Sequence, residues 1–323
     1  MVEDTMARMG NGNASNRLPI SAGVFAHNEE ASVRACLDSV AHSRCRRTRI
    51  DEILVVSSGS SDRTDELVAE CCSRYAGMRL LREPHKRGKV SAVNLFLAQA
   101  CNEHCVMVNA DTVLDPEALD NLCSPLFEPD VGMVGGHPIP LEPRRGYLAV
   151  ANRLFWELHH ELCLRAPKMG ELVAFRHVFD RLPEDHAGAD EDWIHGEVLR
   201  CGLRVVYAPS AILYNAGPST LGDFMRHRKR LAVQHLVLSH RCAFTPSSRD
   251  LRLMTRLTWD YVRRHPEQLL AVGGVAALEL GARTWAWISY SFCGDTQQTW
   301  RPLASGRRVS LSLPRGKDNH PSA

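Results

Sequence analysis

No excess of either charge marks this chain: 39 Lys and Arg stand against 37 Asp and Glu, a formal +2 over 323 residues. Such a balance creates no global field for holding a nucleic acid, so any basic site must be local. A paired cysteine framework is also missing. The eleven cysteines are an odd number scattered from Cys36 to Cys293, which suits reduced thiols in a cytosolic compartment and small buried hydrophobes. Residues 1–17 have no apolar run behind a basic start, which excludes a secretory signal and reads as a disordered lead-in. No internal repeat is visible. What is present, 44% hydrophobic and 24% charged residues, is the composition of a globular chain with a sizeable core. The length accommodates about two domains, or one α/β domain of around 250 residues with appendages.

One stretch, 269–290 (LLAVGGVAALELGARTWAWISY), has the length of a spanning helix but encloses Glu279 and Arg283. These charges are four apart and can pair on one helix face, leaving an apolar face tipped with Trp285, Trp287 and Tyr290. Three readings stay open: a helix packed on the domain, one lying in a membrane interface, or one that spans. Arg252, Arg256, Arg263 and Arg264 nearby suit anionic lipid. Residues 305–323 read as a loose tail.

Between these ends short apolar runs alternate with helical patterns, the mark of a parallel sheet built from β-α-β units. Strands are expected at 20–26, 53–56, 78–81 and 106–108, each followed by a polar turn and a helix. The second turn is the small-residue loop 57–62, the third is Lys86-Arg87-Gly88-Lys89, and the fourth is Asn109-Ala110-Asp111. In open α/β sheets ligands sit beyond the carboxyl ends of strands, so these turns converge on one crevice. The second half has a strand at 131–134 leaving the core at a turn Gly135-Gly136-His137-Pro138, and a helix at 153–164 with His159 and His160. Further on come a strand at 171–175, Asp190-Glu191-Asp192 opening a helix at 193–201, a strand at 203–207 ending at Ala208-Pro209, and a basic helix at 223–240.

An aspartate just past a strand end, followed by Thr112, can hold a hard divalent cation that bridges phosphates, which makes Asp111 the metal candidate. Gly88, Lys89 and Asn94 stand where N–H groups and an ammonium could hold a phosphate or ribose. Adjacent His159 and His160 point to different faces and read as packing and acceptor-site residues. Asn28, Glu29, Ser57 and Ser58 belong to the first two turns of the same edge.

VFAHNEE at 24–30, VVSSGSSDRT at 55–64, RGKVSAVN at 87–94, NADT at 109–112 and DED before a helix and Gly202 resemble, in order over about 19–235, the family 2 glycosyltransferases of the GT-A fold. LFWELHH at 154–160 and PKMGELVAFR at 167–176 are similar to a bacterial and archaeal branch of unassigned substrate. The resemblance implies a Rossmann-like mixed, mainly parallel α/β sheet flanked by helices with a C-terminal helical extension. It divides the chain into a catalytic domain at 18–240, with a nucleotide-binding half at 18–115 and an acceptor half at 116–240, and a helical segment at 241–304.

The same resemblance implies inverting hexosyl transfer from a nucleotide-diphosphate sugar to a lipid-linked or small-molecule acceptor, with Mn²⁺ or Mg²⁺ at Asp111. It assigns donor contacts to Asn28, Glu29, Ser57, Ser58, Lys89, Asn94 and Asn109. The general base falls among Asp190, Glu191 and Asp192. Counting back from Gly202 favours Glu191, although spacing alone does not choose among the three. His227 to Leu231 is similar to the family's Q-x-x-R-W motif, and Arg230 carries over to the donor diphosphate or the acceptor. The implied place is cytoplasmic, peripheral on the inner face of a membrane, with no nucleic-acid partner; oligomeric state is open. Ser57 and Ser58 replace acids that contact the base in many members, and Asn109 replaces the first acid of the metal triplet, lowering the site's charge by one. Those changes leave a second reading, a non-catalytic nucleotide-binding protein or scaffold. Nucleotidyl transfer fits less well, because His27-Asn28-Glu29-Glu30 is not a Gly-rich basic loop.

Overall fold

Every residue from Ile20 to Ala26 of strand β1 (Leu18–Ala26) is buried, the pattern of a strand covered on both faces. The computed structural model describes residues 17–141, 146–184, 190–218, 220–241 and 245–293. The expected lead-in, apart from Arg17, and the tail at 305–323 lie outside them. After β1 the described chain runs α1 (Val33–Ala41), β2 (Thr48–Ser58), α2 (Thr64–Arg74), β3 (Met78–Glu83), α3 (Lys89–Gln99), β4 (His104–Asn109), β5 (Thr112–Leu114) and α4 (Ala118–Cys123). It continues with β6 (Val131–Pro140), α5 (Tyr147–Cys163), β7 (Leu172–Arg176), α6 (Asp190–Arg200), β8 (Arg204–Asn215), α7 (Leu221–Arg241), α8 (Leu251–Arg264) and α9 (Leu269–Cys293).

The strands form one sheet in the order β3-β2-β1-β4-β7-β6-β8-β5. The first four are mutually parallel, β7 runs antiparallel to both β4 and β6, and β8 is parallel to β6. This is the mixed, mainly parallel α/β sheet expected from the pattern. One face packs Val24, Val55 and Val106 under α1, α2 and α4 through Leu37, Val68 and Leu119. The other packs Phe25, Leu54 and Val56 under α3 and α6 through Phe96, Ile194 and Val198. Gly23 permits that second layer: a Cβ there would stand 2.9 Å from the Phe96 ring. A third core, with Leu154, Phe224, Tyr261 and Val275, joins α5, α7, α8 and α9. Cys36, Cys71, Cys105, Cys123 and Cys163 are free and buried, as small hydrophobes.

Several expected boundaries move. Ser57 and Ser58 end β2 rather than opening a loop. The Gly135-Gly136-His137-Pro138 stretch is not a turn but the second half of β6, where the glycines allow Met169 and Leu172 to pack against the strand. Strand β8 runs past Pro209, because its register against β6 shifts between Gly135 and His137 and leaves residues 208–211 bulged. Asp190, Glu191 and Asp192 form the first turn of α6, where negative charge suits the helix dipole. Helix α8 lies within the helical segment expected at 241–304; Asp250 caps it by accepting from Leu253 N–H at 3.0 Å. Helix α9 packs on α5 and α7 through Val272, Val275, Ala282 and Ala286, while Leu270, Leu280, Trp287 and Phe292 are exposed.

Candidate active site

The turns at the carboxyl edge of the parallel strands are tied to one another. Asn28, at φ 55, accepts from Ser61 N–H at 2.7 Å through its side-chain oxygen. Its own N–H donates to Ser60 Oγ at 3.1 Å, and Glu29 N–H donates to Thr64 Oγ1 at 2.8 Å. Glu30 and Asp62 complete an exchange in which each side chain accepts from the other turn's backbone. Gly59, at φ +61, lets this pair meet the third turn: a Cβ there would stand 2.4 Å from Lys86 N. The turns therefore form one rigid rim.

Inside the rim lies a cavity of about 1050 Å³ whose lining includes Glu29, Lys89, Asn109, Asp111, Glu171, Asp190, Glu191, Asp192 and Arg230. Glu171 was not anticipated as a site residue. It immediately precedes β7, and because β7 is antiparallel to β4 its amino-terminal end meets the carboxyl end of β4, with Val108 opposite Leu172. Asn109 Nδ2 donates to Glu171 Oε2 at 2.6 Å. Burial, and then the Asp111 charge, push the Glu171 carboxyl up to about 7. Burial likewise raises Asp111, against the pull of Lys89 and Arg230.

The three consecutive acids separate by environment. Asp190 is buried, with a side chain 0% exposed, and burial followed by the Glu191 charge pushes it up to about 7. Burial also raises Asp192, but Lys168, His235 and His195 outweigh it and hold the carboxyl down at about 2. Lys168 Nζ and His235 Nε2 stand 3.5 and 3.6 Å from its oxygens. Glu191 keeps a side chain 20% exposed. Lys89 lies 3.1 Å from Asp190 Oδ2 and donates to Glu191 Oε1. Burial alone would lower the ammonium, yet the two carboxylates raise it and keep it charged.

Not every sequence candidate reaches the cavity. Asn28, Ser57, Ser58 and Asn94 are not on its wall among the described residues. Asn94 spends both amide atoms on the Leu182 backbone, at 2.8 and 2.7 Å, so its role is to fasten the segment ahead of α6 and not to hold a ribose. Ser57 Oγ donates to Ser60 Oγ at 2.9 Å, and Ser58 O lies 2.7 Å from His27 Nδ1, both under the rim. Lys89 lines the cavity with its ammonium engaged by Asp190 and Glu191. Arg230 does face the acids: Glu171, Asp111, Glu191 and Asp190 act on its charge, and its buried Nε has no hydrogen-bond partner. His159 lines the cavity, held neutral by burial with its pKa lowered to about 3. His160 packs instead, stacked on His137 at 4.2 Å and 2.8 Å from the Tyr207 hydroxyl.

Residues 21–166 match the family model described as glycosyl transferase family 2. A dolichyl-phosphate beta-glucosyltransferase of Trichomonas vaginalis is 35% identical over 97 residues, covering 28% of this chain and 30% of that protein. A lipopolysaccharide core biosynthesis glycosyltransferase of Rhizobium meliloti is 34% identical over 119 residues, 37% of this chain and 41% of the other. The chain thus spans less than half the length of these curated relatives. A mannosyltransferase of Pyrobaculum calidifontis, solved in complex with GDP-Man and Mn²⁺, superposes with a TM-score of 0.59 at 22% identity, covering 86% of this chain and 88% of that one. The superposition shows a shared GT-A fold.

Proposed function

We propose that the chain, whose residues 21–166 match the glycosyl transferase family 2 model, transfers a hexosyl group from a nucleotide-diphosphate sugar to an acceptor hydroxyl, with inversion. The observation that carries this reading is the single cavity in which Asp111, Glu191 and Arg230 meet at the carboxyl edge of the sheet. Glu191 is the general base. Of the three acids it alone keeps a carboxylate partly open to the cavity, while Asp190 is shut in beside Lys89 and Asp192 is held by Lys168 and His235. As the acceptor oxygen bonds to the anomeric carbon, Glu191 takes the hydroxyl proton, and the bond to the diphosphate breaks with its electron pair leaving on the phosphate oxygen. Lys89 orients Glu191 throughout. Arg230 supplies the unpartnered guanidinium nitrogen suited to the departing diphosphate.

A divalent ion fits beside Asp111. The oxygens there are hard donors, and the burial and Asp111 charge that together raise Glu171 are what a cation would relieve. Among the described residues no three His, Cys, Asp or Glu side chains form a cage of their own. A carboxylate that shares the ion with substrate phosphates and water needs no such cage. Asp111 would hold Mn²⁺ or Mg²⁺ together with substrate oxygens, and the ion would supply charge stabilisation for the leaving diphosphate. The Mn²⁺ and GDP-Man of the solved mannosyltransferase are consistent with this reading.

The outer surface supports peripheral contact with the cytoplasmic face of a membrane. Arg252, Arg256, Trp259 and Arg263 of α8 are all exposed, and their spacing of four, three and four sets them on one helical stripe. Helix α9 is long and apolar enough to cross a membrane by length and composition, but with one face packed on the domain it is suited to lie in an interface. Full-length protein is expected to pellet with anionic liposomes at low salt, and failure to do so removes the membrane contact. For the enzyme itself, Asp111→Ala should abolish transfer, and Glu191→Ala should lower it by orders of magnitude, each in a folded protein. A fully active Glu191→Ala variant removes it from the base role. Nucleotide binding with no transfer over long incubation would favour a non-catalytic role.

A further inference from the structure

We infer that the acceptor is an amphiphile, a sugar-bearing head joined through an anionic phosphate-type group to a hydrocarbon chain, and that the chain lies in the arm of the cavity between α5, α8 and α9. The inference rests on the transferase reading of the acidic end and names the substrate class that end would serve. The cavity does not stop at Arg230. Its lining continues over Leu158 and Leu162 of α5, Met254 of α8, and Val272, Ala276 and Leu280 of α9. Among the described lining residues of these three helices, the Asp, Glu, Lys and Arg side chains are Glu279 and Arg283 alone. An open apolar wall in water is unfavourable in proportion to its area, and a hydrocarbon chain removes that area from water. On α9 the lining includes Leu280, which is 68% exposed on the same helix as Leu270, Trp287 and Phe292. A chain held in a lipid surface could enter there without crossing water.

Charge marks the junction between the acidic and apolar ends. Glu279 accepts two hydrogen bonds from Arg228, at 2.6 and 2.8 Å, and one from Arg283 at 2.8 Å. Burial pushes the Glu279 carboxyl up, but the two guanidiniums outweigh it and hold it ionised, at about 2. Two cations on one carboxylate leave a net +1 where all three side chains line the cavity. The Arg228 guanidinium also lies 4.2 Å from the centroid of the Phe155 ring, which fixes it at the boundary. A phosphate-type link at this point would place the sugar hydroxyl toward Glu191 and the chain toward Ala276.

The test measures binding of octyl, decyl and dodecyl phosphate and of the matching alkyl glucosides, each below its micelle concentration, with inorganic phosphate and glucose as chain-free probes. Affinity should rise with chain length, roughly three- to four-fold per methylene, and the phosphates should bind more tightly than the glucosides. Ala276→Trp, at an exposed position on the wall, should weaken dodecyl phosphate at least ten-fold, and Leu280→Asp at the mouth should do the same. Arg283→Gln should narrow the preference for phosphate over glucoside. Thermal stabilisation by nucleotide-sugar should persist in all three variants. Chain-length independence, or an unchanged Ala276→Trp and Leu280→Asp pair, overturns the inference while nucleotide-sugar still binds. Loss of nucleotide-sugar binding in the wild type overturns the transferase reading instead.

Discussion

At the amino-terminal edge of the sheet Glu52 accepts from Ser21 Oγ at 2.7 Å, Cys101 N–H at 2.7 Å and Arg79 at 2.9 Å. Asp120 likewise accepts from Arg47 N–H, Thr48 N–H and Thr48 Oγ1. Both carboxyls are lowered, because these hydrogen bonds outweigh the burial that would raise them. At the carboxyl edge Asp111 is raised by burial, and Glu171 and Asp190 by burial followed by a neighbouring carboxylate, in each case against the pull of the cations beside them. The same residue types therefore hold the fold at one end and remain electrostatically frustrated at the other. Frustration of that kind persists where the missing partner is a ligand.

The widest separation is expected from Glu191→Ala against Glu52→Ala. The first should lower kcat by on the order of 10²–10⁴, with a melting temperature at or above that of the wild type. The second should cost about 1–3 kcal/mol of unfolding free energy, with kcat per folded molecule intact. Denaturant titration and initial rates on both proteins check the pair.

A pH series sharpens the contrast. Asp190 is raised from 3.8 to about 7, so between those values the native state holds a proton that the unfolded chain has released. The stability this gives is fully present below the unfolded value and is lost as pH rises through the folded one. The melting temperature of the ligand-free wild type is expected to decline more steeply than that of Asp190→Asn between about pH 5 and about pH 8. Equal slopes would contradict the buried, raised carboxyl. The smallest effect belongs to the rim: Asn28→Ala should cost about 0.5–1.5 kcal/mol and change the donor KM little, since Asn28 ties the turns together and does not line the cavity.

Much of this arrangement was legible along the chain because it is local. Short apolar runs with a polar turn at each carboxyl end located β1 to β4, and Asp111, Glu191 and Arg230 do line one cavity. The misses share a cause. Glu171 enters the site only because β7 runs antiparallel to β4, a pairing that no local pattern announces. Asn94 looked like a ligand for ribose, yet its amide is matched to Leu182, 88 positions away. Pro209 read as a strand end because a proline lacks its N–H, and the bulge that accommodates it depends on the register against β6. The apolar arm joins α5 to α8 and α9, and the Arg228–Glu279 pair spans 51 positions. Chemistry set by a single turn can be read from sequence, whereas chemistry set by tertiary pairing needs the fold.

A thermal-shift panel of UDP, GDP, dTDP and CDP with their common sugars, each with Mn²⁺ and again with EDTA, tests the donor site most directly. A ligand at about a hundred times its dissociation constant adds roughly 2.7 kcal/mol to stability. Stabilisation by one nucleotide series with Mn²⁺, lost with EDTA and lost in Asp111→Ala, is the expected result. No stabilisation by any nucleotide under either condition would contradict a nucleotide-sugar site at the carboxyl edge of this sheet.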